Sequence, residues 1–244
     1  MENELTSELC VGGFNLAGVL AIDDYDALVE RVWRSDALLS GARSAVLLGC
    51  GGPDFFRALR DSPEWAGGID PADRFARRVV EAHRDVWIER GWSSASFLYR
   101  DRRDDDGRSC YANFTALATA CGLGVPSRLG ILLHPTYGPW WAIRALLLTE
   151  RELSPTAALD WNPCDGCPAP CAQACPSDAV VLPSGFDIRA CFETRGVTPA
   201  CRTRCAARRA CVVGGDEVAY QEEAEAHYMR NTWESDGWKT AVAE

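Results

Sequence analysis

Short apolar runs alternate with stretches of helical periodicity over the first 155 residues. The runs Phe14–Ile22, Ser44–Leu48, Ser94–Tyr99, Ile131–His134 and Ile143–Leu148 predict strands. Between them, Tyr25–Leu39 places Leu28, Val32, Leu38 and Leu39 near one face, which predicts a helix capped by Asp23 or Asp24. Pro71–Glu89 predicts a second helix, because Asp70 and Pro71 suit its cap and first turn. Its Phe75, Val79, Val80, His83 and Val86 share a stripe. Tyr111–Cys121 predicts a third, with Gly122 just past its end. The alternation implies an α/β layer domain over residues 1–155. Before the third helix lies R-D-R-R-D-D-D-G-R, whose dense charge and Gly107 mark an exposed loop. It reads either as a solvated turn or as the mouth of a substrate site.

From Pro155 the pattern changes. Residues 156–215 are rich in Cys, Pro, Gly and Ala and poor in long apolar runs. A small domain of that kind needs little core if metal–ligand bonds hold it. Residues 216–244 predict a tail with an acidic helix around Glu217–Met229, tied back onto the body by Trp233 and Trp238.

Cysteine placement sharpens this picture. Eight of the 12 cysteines are Cys164, Cys167, Cys171, Cys175, Cys191, Cys201, Cys205 and Cys211. The first four read C-D-G-C-P-A-P-C-A-Q-A-C-P, close to the C-x2-C-x2-C-x3-C-P run that wraps cubane iron–sulfur clusters, with one extra residue before the third cysteine. In such a run three thiolates hold one cube and the fourth, before proline, ligates another. Cys191, Cys201, Cys205 and Cys211 complete the count for two [4Fe–4S] clusters. Disulfides and tetrahedral zinc are the rival readings. The disulfide is disfavoured by a chain with no signal-peptide pattern, and zinc by cysteines more tightly run than paired knuckles. Cys10, Cys50, Cys110 and Cys121 lie outside the group and read as small buried hydrophobes.

Charge narrows the partners. A formal net charge of −10 argues against nonspecific binding to nucleic acid, although the arginines between Arg202 and Arg209 would permit a local contact. The acidic N-terminal stretch and the lack of a run of about 18 apolar residues predict a cytoplasmic protein with no membrane span.

The stretch Cys121–Glu150 reads C-G-L-G-V-P-S-R-L-G-I-L-L-H-P-T-Y-G-P-W-W-A-I-R-A-L-L-L-T-E. With the cysteine run after it, and A-R-S-A-V-L-L-G and D-P-A-D-R-F-A-R-R before it, the chain resembles the cobalamin-dependent epoxyqueuosine reductases and the related reductive dehalogenases. The resemblance covers roughly residues 40–211. It implies a nitroreductase-like, corrinoid-binding α/β domain followed by a ferredoxin-like domain with two [4Fe–4S] clusters. By that likeness Cys164, Cys167, Cys171 and Cys211 hold one cluster, and Cys175, Cys191, Cys201 and Cys205 the other. The chain departs from the family at Cys201-x3-Cys205-x5-Cys211-Val212, where C-x2-C-x3-C-P is usual.

By the same likeness His134, Pro135, Tyr137, Gly138 and Trp140 would lie near the corrinoid. His134 on its own reads equally as a hydrogen-bonded structural residue ending a strand. Epoxyqueuosine reductases carry a proton-donating aspartate just before the third helix. Counting back from Gly122 puts Arg108 or Ser109 at that place, so epoxyqueuosine reduction itself is not implied. Dehalogenases use a tyrosine assisted by a basic residue, which by analogy nominates Tyr111 with Arg108. Otherwise Tyr111 is an aromatic that packs at a helix start.

The function expected is an iron–sulfur oxidoreductase fed by a low-potential donor of ferredoxin or flavodoxin type. It passes electrons to cobalamin in the N-terminal domain, for cleavage of a small substrate or for processing of the corrinoid itself. Flavin in that domain is the alternative cofactor. A plain electron carrier with no cofactor there is the alternative function.

Overall fold

A computed structural model describes residues 12–66, 70–183 and 185–234, with side chains up to Met229. The chain divides into two compact units. The first comprises residues up to Leu123 together with Ala142–Leu159. The second comprises Gly124–Trp141 and the chain from Asp160 onward. The H-P-T-Y-G segment therefore falls with the cysteines, and so does the C-terminal helix. Cys10, Trp238 and the side chain of Trp233 lie outside the described residues.

In chain order the first unit begins with β1 (Leu16–Ala21), α1 (Ile22–Leu28), a 3-10 turn (Arg31–Trp33) and α2 (Ser35–Leu38). It continues through β2 (Ser44–Gly51), α3 (Asp54–Arg60), α4 (Pro71–Glu89), β3 (Ser94–Phe97), β4 (Arg102–Arg103), β5 (Ser109–Cys110) and α5 (Phe114–Ala120). In the second unit come β6 (Val125–Pro126) and β7 (Leu132–Leu133), after which β8 (Trp141–Thr149) returns to the first. Back in the second unit are α6 (Pro170–Ala174), α7 (Ile188–Val197), a 3-10 turn (Pro199–Arg202), α8 (Ala206–Arg209) and α9 (Glu222–Glu234).

The first unit is built on a four-stranded sheet in the order β1-β2-β8-β3. β1 runs antiparallel to β2 with Leu16 opposite Gly49 and Ala21 opposite Ser44. β3 runs antiparallel to β8 with Ser94 opposite Thr149 and Phe97 opposite Leu146. Central strands are covered on both faces, and β2 is buried along its whole length. Of the stripe its periodicity predicts, Phe75, Val79 and Val80 of α4 are buried, together with Ala72, Ala76 and Trp87, whereas Val86 is 41% exposed and His83 only half-buried. Edge-to-face ring contacts run from Phe14 to Phe55 at 5.6 Å and from Phe55 to Phe75 at 5.3 Å.

Four local expectations are corrected. The helix expected over Tyr25–Leu39 breaks after Leu28, because Asp26 accepts hydrogen bonds from the Ser35 amide (2.7 Å) and hydroxyl (2.6 Å). The buried Tyr25 hydroxyl also donates to the Trp33 carbonyl. These side-chain bonds offer the backbone an alternative to helix. Neither Asp23 nor Asp24 caps α1; both lie in its first turn, where carboxylates complement the helix dipole. Asp70 occupies the N-cap of α4, but its side chain makes no capping bond: its backbone is left-handed (φ 53°) and its carboxylate pairs with Arg100 at 2.5 Å. The third helix starts at Phe114, not Tyr111, because Asn113 accepts from the Ala116 amide. Gly122 does follow its C-cap, with φ +71°, and a methyl group there would lie 2.1 Å from the Ala157 carbonyl oxygen. The charged loop forms a small hairpin, β4 on β5, turned at Gly107.

The second unit has little regular structure. β6 pairs with β7, Val125 opposite Leu133. Its core is Leu129, Leu133, Ala169, Cys171, Val180 and Ala207, with Cys175, Cys205 and Cys211 packed against it. Thiols are thus part of the packed interior, beside buried aromatics of the same unit such as Trp140 and Tyr220. Among the described residues no helix is long and apolar enough to cross a membrane.

Candidate metal centres

All eight clustered cysteines are free thiols and belong to the second unit. They fall into two neighbourhoods. Cys164, Cys167, Cys171 and Cys211 line one small cavity, with Leu129, Leu133 and Val213 among its apolar walls. Within this set burial, then the charges of Cys164 and Cys167, raise the pKa of Cys171. Cys211 feels burial and the charges of Cys171, Cys164 and Cys167. The loop that carries them turns through left-handed Ala169 into α6, whose first residue is Pro170. Arg128 donates to the Cys167 carbonyl (3.2 Å) and the Pro183 carbonyl (2.7 Å), which fastens that loop.

Cys175, Cys191, Cys201 and Cys205 form the second neighbourhood. Burial pushes Cys191 up to about 11, with Cys205, Cys175 and Cys201 adding to the rise. Burial and then Cys175 raise Cys201, and both also act on Cys205. Cys175 itself goes the other way. Burial would raise it, but bonds from the Ser177 hydroxyl and the amides of Ser177, Ala179 and Val180 outweigh that and favour its thiolate. Glu225, only 1% exposed, accepts from the Cys205 amide at 2.8 Å and from Arg209 at 2.6 Å, so α9 is tied to the Cys205 turn.

Among the described residues no three His, Cys, Asp or Glu side chains close on one point suited to a single metal ion. A tetrahedral zinc would draw its sulfurs to within roughly 3.8 Å of one another. A cube sets them farther apart, since each thiolate takes a different iron. Two sets of four thiols, one around an apolar-walled cavity, have the chemistry to hold two cubes.

The remaining expected residues are placed as follows. His134 bridges to Gly138, and its Nδ1 accepts from the amides of Thr136 (3.0 Å) and Tyr137 (3.3 Å). The neutral ring then carries its proton on Nε2. Its face meets Tyr137 and Trp141, with centroids 5.1 and 5.8 Å away. Trp140, 3% exposed, lies beneath the guanidinium groups of Arg208 (4.6 Å) and Arg209 (4.8 Å). Gly138 meets the chain just beyond Cys211: a methyl group on it would sit 2.0 Å from the Val213 carbonyl oxygen.

In the first unit Tyr111 is 60% exposed and stacks on Tyr99 at 5.9 Å. Arg108, near the hairpin turn, pairs with Asp106 at 3.6 Å.

The arginines expected to offer a local patch are largely turned inward. Arg202 bonds the carbonyls of Arg195 and Gly196, Arg208 the Pro139 carbonyl, and Arg209 Glu225 and the Tyr220 carbonyl. Sequence reasoning missed Glu225 and Arg195, which are buried charges; the one available signal was that Arg195 stands four residues after Cys191 on one helix face.

The His134 environment sets a pH dependence. Burial lowers its pKa from 6.5 to about 4. The unfolded chain therefore binds the extra proton across that window, and stability rises with pH there. The contribution is complete above the unfolded pKa and fades as the pH falls toward the folded one. Between pH 7 and 5 the loss is about 2 kcal/mol. His134→Asn, which keeps an acceptor for the turn amides, is expected to flatten the pH dependence of denaturant unfolding by that amount; an unchanged slope would contradict the assignment.

No family model and no curated protein matches the sequence. Solved structures do. Epoxyqueuosine reductase from Streptococcus thermophilus superposes with a TM-score of 0.56 at 14% identity, over 91% of this chain and 68% of that one. An epoxyqueuosine reductase bound to a tRNA-Tyr epoxyqueuosine-modified stem loop gives 0.58 at 17%, over 92% and 68%. A reductive dehalogenase, whose structure suggests a mechanism for B12-dependent dehalogenation, gives 0.52 at 16%, over 94% of this chain and 34% of its own. At these identities the likeness concerns the fold: the chain has the mixed α/β fold of epoxyqueuosine reductases and reductive dehalogenases.

Proposed function

We propose that the protein is an iron–sulfur reductase that carries low-potential electrons through two [4Fe–4S] clusters to a corrinoid bound by the N-terminal domain. The observation that carries this reading is the sorting of eight cysteines into two sets of four, within a fold similar to that of a B12-dependent dehalogenase. Cys164, Cys167, Cys171 and Cys211 would hold one cluster, and Cys175, Cys191, Cys201 and Cys205 the other, in a ferredoxin-like arrangement. A corrinoid, when bound, would supply a cobalt centre able to pass electrons to a small substrate, or would itself be the molecule processed.

This chain's residues serve that chemistry in distinct ways. Cys171 is buried among the apolar walls of the first cavity, and such shielding from water tunes potential. The amides around Cys175 favour its ligating thiolate. His134, Tyr137, Gly138 and Trp140 form a rigid turn packed into the cysteine-bearing unit, and in this reading they shape the approach to the cofactor. Tyr111, with an exposed ring, is the proton donor in this proposal, with Arg108, which pairs with Asp106, as its basic assistant. The expected partners are a ferredoxin- or flavodoxin-type donor and a small molecule or corrinoid.

Anaerobic titration of the iron-loaded protein with hydroxocobalamin tests the proposal. Stoichiometric uptake, with a spectral change on reduction, is expected. Full iron with no uptake would replace this reading with that of an electron carrier, and a yellow, acid-extractable chromophore would replace the corrinoid with flavin.

A further inference from the structure

Arg195 is an unusual residue to bury. It lies on α7, is 6% exposed, and among the described residues its Nε has no hydrogen-bond partner. One terminal nitrogen is spent on the Met229 carbonyl, and the guanidinium lies against the Phe192 ring at 5.5 Å. Cys191, Cys205 and Cys201 are all near enough for their thiolates to act on its charge. A guanidinium stays protonated in proteins, so a full positive charge with an unused donor is buried one helical turn after Cys191, within electrostatic reach of three thiols of one set. Leaving a buried donor unsatisfied is costly, and no acceptor among the described residues meets this one. A sulfur of the cube that these cysteines hold would meet it.

We infer that Arg195 is a tuning residue of the second cluster: its Nε–H donates to a cluster sulfur, and its charge raises that cluster's reduction potential. Reduction adds negative charge to the cube, which a nearby cation and a hydrogen bond stabilise. The inference rests on the two-cluster reading and adds the polarity of one site. The first set is lined instead by Arg128, whose guanidinium is engaged with backbone carbonyls.

The test uses the full chain, reconstituted anaerobically, with arginine labelled by 15N in its guanidinium only. A hyperfine spectrum of the reduced wild-type protein is expected to show 15N coupled to one cluster, and Arg195→Lys to lose that coupling. In Arg195→Gln the same cluster is expected to lose at least tenfold in its reduced-to-oxidised ratio at fixed potential, about 59 mV for one electron. The other cluster keeps its potential. Absence of 15N coupling in the wild type, its survival in Arg195→Lys, or unchanged potentials in fully loaded Arg195→Gln would each overturn the inference. If Arg195→Gln fails to load, the wild-type and lysine spectra decide. A wild-type iron content of about four would remove the second cluster itself, and the inference with it.

Discussion

Replacing Cys171 with alanine is expected to halve the iron of the reconstituted protein, from about eight to about four per chain, and to abolish one of two cluster signals. Cys171 is buried in the wall of the cavity it shares with Cys164, Cys167 and Cys211. Without its thiolate one iron has no ligand, and the cube is lost or degraded. Cys191→Ala is expected to remove the other signal. Cys175 separates the alternatives, because it follows Cys171 by four residues in sequence yet acts on Cys191, Cys201 and Cys205. Cys175→Ala should therefore reproduce the Cys191→Ala spectrum, not that of Cys171→Ala. Loss of the same signal in Cys171→Ala and Cys175→Ala would show that sequence adjacency governs the pairing.

The second large effect is expected at Gly138. Its φ of +52° suits glycine, and a methyl group would meet the Val213 backbone oxygen at 2.0 Å. Left-handed backbone costs a residue with a Cβ about 1–2 kcal/mol, and forcing atoms into a packed site about 1–3 more. Gly138→Ala is thus expected to destabilise the protein by about 2–5 kcal/mol in denaturant titration and to lower iron retention by the Cys211-containing set. Gly107→Ala is the control. Gly107 shares the positive φ, but among the described residues nothing lies within 4 Å of its added methyl group, so only the backbone cost applies. Equal losses in the two variants would mean that the close approach to Val213 is not a constraint.

Why these residues matter was only partly legible in the sequence. Pro71–Glu89 could be read to its ends, because its apolar stripe, its proline and its length all point the same way. β2 and β8 were legible as apolar runs, yet their places in the order β1-β2-β8-β3 depend on pairings across long chain separations that no local pattern encodes. The break after Leu28 was hidden because one bond set, Asp26 to Ser35, overrides a helical pattern. Likewise Ile131–His134 shrinks to Leu132–Leu133, since the chain turns back on itself from His134 to Gly138. The cysteines could be read because thiol spacing reports ligand chemistry directly. Arg195 and Glu225 could not, because charged residues are seldom buried and their neighbours come from distant segments.

Two four-iron clusters on two separate cysteine sets are what we propose for this chain. Iron and acid-labile sulfide, quantified in the anaerobically reconstituted wild-type protein together with a reductive titration, test that proposal most directly. About eight irons, about eight sulfides and two electrons taken up, one by each cluster, are expected. About four irons with one electron, or metal bound without sulfide, would contradict it.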